Sequence, residues 1–240
     1  MRRALGAELS KLRTLPLTTY AAAGMVLVST LIAAALAGLH AEGGGAASPV
    51  DAALEAMPYA QAGAILLGVV TVSQEYAGRQ FSTTLIAVPR RMRVVVAKTS
   101  AAVVVLFLVG TLSVALAWSS AELTIHASDA GAVAATAEDL ARLGGAVVYL
   151  VLIGILAHAL TLALRHLVPA LVSMLVVVYI LPFALTALGE HTRWLPTRAG
   201  SQLFAPDDTV LTAFTGALVL LAWAVVIGIA GTARFTLSDA

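Results

Sequence analysis

Six apolar runs, each close to the length that crosses a bilayer, alternate with polar stretches along the chain. They cover residues 18–39, 57–74, 96–118, 144–164, 168–188 and 211–231. A transmembrane helix takes about 20 apolar residues, so the pattern predicts an all-α chain with six spans. One polar stretch, residues 75–98, carries a periodicity of its own. Phe81, Leu85 and Val88 fall at i, i+4 and i+7 and share one helix face, while Arg79, Gln80 and Ser82 to Thr84 are polar. Pro89 ends that helix, because it lacks an N–H and disfavours the α conformation at Val88. Arg90, Arg91 and Arg93 follow at once. So short and charged a helix is expected to lie on the membrane surface.

Residues 2–13 predict a second surface helix, with Leu5, Leu9 and Leu12 opposed by Arg2, Arg3, Lys11 and Arg13. The apolar run that follows, Leu17 to Leu39, exceeds the 7–15 residues of a signal-peptide core, so cleavage is not expected. Pro49 and Gly43 to Gly45 mark the first connecting loop. No Gly-Lys-Ser/Thr follows those glycines, and the chain has no other nucleotide-binding motif.

Composition agrees with this pattern. The 240 residues are 60% hydrophobic and 11% charged, with mean hydropathy +0.96. A soluble domain carries about 25% charged residues, so this chain reads as one integral membrane domain over residues 1–240. A net charge of +1 gives no reason to expect nucleic acid, and the absence of cysteine excludes disulfides and thiolate metal sites. Only Lys11 and Lys98 among the 14 basic residues are lysine, which with abundant Ala, Val, Leu and Gly points to a high-GC bacterial genome.

Orientation follows from the basic residues between spans. Eleven of them (Arg2, Arg3, Lys11, Arg13, Arg79, Arg90, Arg91, Arg93, Lys98, Arg165 and Arg234) fall on one side, and Arg142, Arg193 and Arg198 on the other. The first side also has Glu8, Glu75 and Asp239, while the other ten acidic residues lie opposite. Both termini and the 75–98 stretch are therefore expected in the cytoplasm.

No Asp, Glu, Lys or Arg is expected in the middle of a span, which weighs against proton pumping, since intramembrane charges mark such paths. His158, near the cytoplasmic end of the fourth run, reads as a solvated or backbone-bonded interfacial residue ahead of a relay. The other histidines are scattered, without metal-ligand spacing. Ala60, Ala64 and Gly68 recur at i, i+4, i+8, as do Ala224 and Gly228 at i, i+4; such small residues permit close helix approach. Gln61, a polar side chain in the second span, calls for a helix–helix partner or a cavity along a substrate path.

These stretches resemble the membrane permease subunit of type-2 ABC exporters. The second run leads into Ser-Gln-Glu-Tyr-Ala-Gly-Arg-Gln-Phe (73–81), then Thr-Leu-Ile-Ala-Val-Pro-Arg-Arg (84–91), then Ala-Lys (97–98) ahead of the third. That is similar to the family's Glu, its Gly-Thr/Arg turn, its amphipathic coupling helix, its Pro-x-Arg and its Lys before span three. Ala-Glu-Leu-Ser-Lys-Leu-Arg-Thr (7–14) resembles the N-terminal elbow helix. Leu-Arg-His-Leu-Val-Pro-Ala-Leu (164–171), with Ile-Leu-Pro-Phe (180–183), resembles the link between spans four and five. Trp-Leu-Pro-Thr-Arg-Ala-Gly (194–200) resembles the outer segment before span six. The tail Arg-Phe-Thr-Leu-Ser-Asp-Ala departs from the Arg-Arg-Asp of many relatives.

The resemblance implies a subunit of an ATP-driven exporter in the bacterial plasma membrane, with no catalytic residues of its own. Two permease chains would pair with two copies of a separate ABC ATPase, which alone would bind ATP and Mg. Glu75, Gly78, Arg79, Phe81, Leu85, Val88, Arg90 and Arg91 would form the contact with that ATPase. A small amphipathic drug, antibiotic or lipid is the expected cargo. The alternatives are a surface helix that rests only on lipid headgroups, a secondary carrier or channel without ATP, and a membrane-embedded enzyme. The enzyme would need clustered His, Asp or Glu near one face, and the carrier paired broken helices. Beyond Pro169 and Pro182 in one segment the sequence signals no such breaks.

Overall fold

The computed structural model describes residues 6, 15–43, 46–77, 91–128, 130–185, 192–207 and 211–237, and these are all-helical. The elements in order are α1 (Pro16–Glu42), α2 (Pro49–Glu55), α3 (Met57–Ala77), α4 (Arg91–His126), α5 (Ala137–Leu164) and α6 (Leu167–Leu175). A π-helical turn (Val176–Ile180), α7 (Leu181–Ala184), α8 (Pro196–Ser201) and α9 (Ala213–Leu237) complete it. Among the described residues five helical segments, α6 through α7 counting as one, are long and apolar enough to cross a membrane, or six if the bent pair α2–α3 is one span. The predicted surface helix at 2–13 and residues 186–188, which close the fifth run, lie outside the described residues, Gly6 excepted.

Local chemistry explains where the boundaries depart from the apolar runs. The third apolar run continues in α4 to His126, well past the expected end at 118, and the polar extension satisfies its hydroxyls internally, Ser119, Ser120 and Thr124 donating to carbonyls of the preceding turn. The fourth run is likewise longer than expected and begins at Ala137 rather than 144. Thr136 and Asp139 form a capping box there, each side chain accepting from the other's backbone N–H. It ends where Arg165 takes a left-handed conformation, φ 60°, and donates its N–H to Thr161 O at 2.8 Å. A two-residue link, Arg165–His166, then turns the chain into α6.

Two breaks correct the expectation of a nearly unbroken set. Pro49 does not sit in a loop; it opens α2, with Ser48 as N-cap accepting from Asp51 N at 3.2 Å. The chain then bends by 46° at Ala56 into α3. Pro58 has no N–H to continue the ladder, so it restarts with Tyr59 and Ala60 donating to Ala56 O. In the fifth segment, Pro182 follows the π-helical turn. Proline cannot bond the carbonyl four residues back, that of Val178, and Thr197 Oγ1 donates to it instead at 3.2 Å.

α5 is the centre of the bundle. It packs against α3, α4, α6 and α9, and its buried residues face every direction, from Leu143, Tyr149 and Leu150 to Ile153, Ala157 and Leu162. α1 lies against α4 and α3 through a stripe of mostly small residues, Thr18, Ala21, Met25, Ser29, Ala33 and Ala37. Its bulky Leu27 and Leu31 are exposed, as are Phe107, Leu108, Phe214 and Ile229 elsewhere. Small residues inside and large apolar ones outside are what a lipid-facing bundle requires. The stripe Ala60, Ala64 and Gly68 does mark a contact. A Cβ on Gly68 would meet the Gly154 carbonyl oxygen at 2.1 Å, so α3 and α5 touch backbone to backbone there. By contrast Gly228, in the other stripe, has only ordinary contact with Ala159.

Candidate functional site

The connection between α3 and α4 is where the sequence concentrates its candidate contacts. Glu75 falls in the last turn of α3 and Arg91 is the first residue of α4. Gly78, Arg79, Phe81, Leu85, Val88 and Arg90 lie outside the described residues. What the structure defines is how the two flanking helices are held.

They are held by a buried polar layer. Lys98 donates from Nζ to Thr71 O at 3.3 Å, from α4 to α3. Thr71 Oγ1 donates to Gly68 O at 2.7 Å and lies 2.9 Å from His158 Nδ1. Thr99 Oγ1 lies 3.3 Å from His158 Nε2. Counting protons assigns the ring. The Thr71 hydroxyl has one hydrogen and gives it to Gly68 O, so it accepts from Nδ1–H, and the Nε2 lone pair then accepts the Thr99 hydroxyl. Both nitrogens are satisfied with the ring neutral.

This layer corrects two expectations. Lys98, counted from the sequence with the polar stretch 75–98, is only 6% exposed. His158 is neither solvated nor bonded to backbone; it is 1% exposed and sits between two threonine hydroxyls. Lys98 lies seven residues into α4, and Thr71 and His158 lie six from the ends of α3 and α5. At 1.5 Å per residue the layer is about 9–10 Å inside the bundle. A lysine held away from water needs polar partners to offset its desolvation, and the Thr71 carbonyl is one of them here.

A second polar contact joins α3 to α5 toward their other ends. Gln61 is 3% exposed and its Oε1 accepts the hydroxyl of Tyr149. Tyr179, from the π-helical turn, donates to Pro58 O at 2.6 Å. Phe204 packs on Tyr149 with ring centroids 5.1 Å apart. Gln61 is thus bonded between helices, behind the Tyr149 and Phe204 rings.

Above those rings opens a cavity of about 760 Å³, lined by Asp51, Leu54, Glu55, Arg142 and Phe204 among others. Arg142 organises it. Its guanidinium lies 2.9 Å from Asp51 and 3.1 Å from Asp139, and its Nε donates to Phe204 O at 3.2 Å. His40 Nε2 is 3.3 Å from Glu55. The loops beside it are tied by Ala47, which donates to Gly131 O and accepts from Val133 N at 2.9 and 3.0 Å. Among the described residues no His, Asp and Glu side chains are grouped as a metal site.

No family model matches the chain, and no curated protein matches it.

Arg142, Lys98 and the tyrosine partner of Gln61 are the residues that sequence reasoning missed at these places. Each meets partners far along the chain, Tyr149 and Gln61 being 88 residues apart. Only the capping box beside Arg142 left a local signal.

Proposed function

We propose that this chain is the membrane-spanning permease subunit of an ATP-driven exporter of the type-2 ABC class. It would work as a pair of permease chains with two copies of a separate ATPase. The observation that carries the reading is the amphipathic, Arg-rich connection of residues 78–90 between two helices that pack side by side. An amphipathic connection whose two flanking helices are packed into one bundle is suited to receive a push from a soluble partner. The chain has no phosphate-binding loop, so the energy of ATP would enter through that partner. The cavity beside Arg142 has the volume of a drug-sized site, about 300–1,000 Å³, and mixes ion pairs with apolar wall, which suits a small amphipathic cargo. Gln61, the sequence's candidate on a substrate path, does not line that cavity; its Oε1 is bonded to Tyr149, the helix–helix partner.

Two observations favour a second reading, a secondary carrier: the breaks at Ala56 and before Pro182, and Lys98 and His158 as ionisable groups inside the bundle. Reconstitution separates the two. With its cognate ATPase in liposomes the chain is expected to move cargo only when ATP is supplied. Transport by the chain alone, driven by a pH gradient, would establish the carrier and overturn the exporter.

The orientation belongs to the same proposal: both termini and the 78–90 connection in the bacterial cytoplasm. Because cysteine is absent, single cysteines at Ser82, Ser128 and Ser201 are clean reporters. In intact cells an impermeant thiol reagent should label the last two and spare the first. Labelling at Ser82 alone would reverse the orientation.

A further inference from the structure

We infer that Lys98, Thr71, Thr99 and His158 are positioning residues. They join the two helices flanking the 78–90 connection to α5, so that movement of the connection reaches the centre of the bundle. The inference extends the exporter reading and takes its force-bearing role from it.

Three features support this assignment. The four side chains belong to α3, α4 and α5, so one layer ties both stalks of the connection to a single third helix. Their bonds are directional and lie in apolar surroundings, where a shift of one helix against another leaves a hydroxyl, a ring nitrogen or an ammonium without its partner. An apolar layer at this depth would permit small slides at little cost. The third feature is the Gly68–Gly154 contact, one turn from Thr71. There the backbones already touch, so α3 cannot move closer to α5 and has to carry it along or pivot on it. α5 in turn packs on α6 and α9, so a displacement handed to it is shared by the far half of the bundle.

The test uses the whole chain in nanodiscs, then the same variants with the ATPase in liposomes. Thr71→Val keeps the shape and removes the hydroxyl that bridges Gly68 and His158; Thr71→Ser retains it. Amide hydrogen exchange should rise about tenfold in Thr71→Val at residues 71–77 and also at 95–100, across the layer, and stay unchanged at 49–58. Thr71→Ser should exchange like the parent. With the ATPase, cargo moved per ATP hydrolysed should fall about fivefold or more in Thr71→Val while hydrolysis itself changes less than about twofold. If Thr71→Val does not insert, Thr99→Val, which removes only the bond to Nε2, takes its place.

Faster exchange confined to α3 would overturn the inference, as would a Thr71→Ser chain that behaves like Thr71→Val. Equal loss of transport and hydrolysis would reduce the layer to simple packing and overturn it too. The exchange arm needs no ATPase. Should exchange spread across the layer while no ATPase responds to the parent chain, the polar joint stands and the exporter reading falls.

Discussion

Replacing Gly68 with leucine should leave almost no chain that folds. The Cβ alone would lie 2.1 Å from the carbonyl oxygen of Gly154 and 3.0 Å from its carbon. Overpacking a core costs about 1–3 kcal/mol when neighbouring side chains can move aside. Here the obstacle is backbone of α5, so relief requires the two helices to part, undoing the contacts of Ala64 and Ala157 and straining both polar layers. A cost above about 3 kcal/mol is expected, a large share of the 5–15 kcal/mol that holds a typical native protein. The measurements are the monodisperse fraction after detergent extraction and the thermal midpoint of what remains. Two glycines on other faces serve as controls. A Cβ on Gly228 would meet Ala159 at an ordinary 3.8 Å, and one on Gly24 would meet nothing within 4 Å. Alanine at either should be neutral or raise stability by up to about 1 kcal/mol through helix propensity. A Gly68→Leu chain that extracts and melts like the parent would mean that α3 and α5 do not cross in this way.

That crossing belongs to a ladder whose rungs were legible in the sequence to different degrees. The small-residue stripe Ala60, Ala64 and Gly68 pointed to a close approach, because only backbone and methyl groups can meet at that spacing. It could not name the partner, since any helix with glycine at the right height would do. The polar rungs on either side were hidden for a related reason. Gln61 to Tyr149 and Thr71 to His158 pair residues 88 and 87 positions apart, and no local pattern encodes such a meeting. Lys98 misled because counting charges between spans assigns a side by position along the chain. A lysine near a helix end can instead turn its ammonium into the bundle when a carbonyl there accepts it. The helix starts at Ser48–Pro49 and Thr136 were, by contrast, written locally, in a capping side chain three residues before an Asp. Apolar length alone passes over such signals. It finds the part of a helix that faces lipid, whereas caps decide where the helix begins.

On the two helices the rungs are about ten residues apart, Gln61 to Thr71 and Tyr149 to His158, or roughly 15 Å at 1.5 Å per residue. The Gly68–Gly154 contact lies between them. α3 and α5 are thus fixed at three heights over about half a bilayer, which makes them one stiff unit in place of two spans free to slide. A stiff unit ending in the connection at 78–90 is what gives a partner at that connection something to push against.

On the proposed exporter reading, Leu85→Asp is the substitution expected to separate the chain from a partner ATPase. Leu85 is the middle of the apolar positions Phe81, Leu85 and Val88 that the sequence spacing predicts to share a face. A carboxylate at the centre of an apolar contact has to be desolvated without a partner. A hot spot at the centre of a contact costs about 2 kcal/mol or more when altered, enough to weaken association more than about 25-fold. The ATPase recovered per folded permease should fall accordingly. Thr83→Ala, on the polar face, should leave that ratio unchanged. Substituting Glu75 or Arg79, which flank the helix, should lower stimulated ATP hydrolysis while the chain stays inserted and paired. A helix that only rests on lipid headgroups predicts another outcome. There Leu85→Asp would weaken attachment to the membrane surface and lower the yield, yet each permease that folded would still bring down its full share of ATPase. Yield and ratio thus move independently, and an unchanged ratio in Leu85→Asp would remove the 78–90 connection from the ATPase contact.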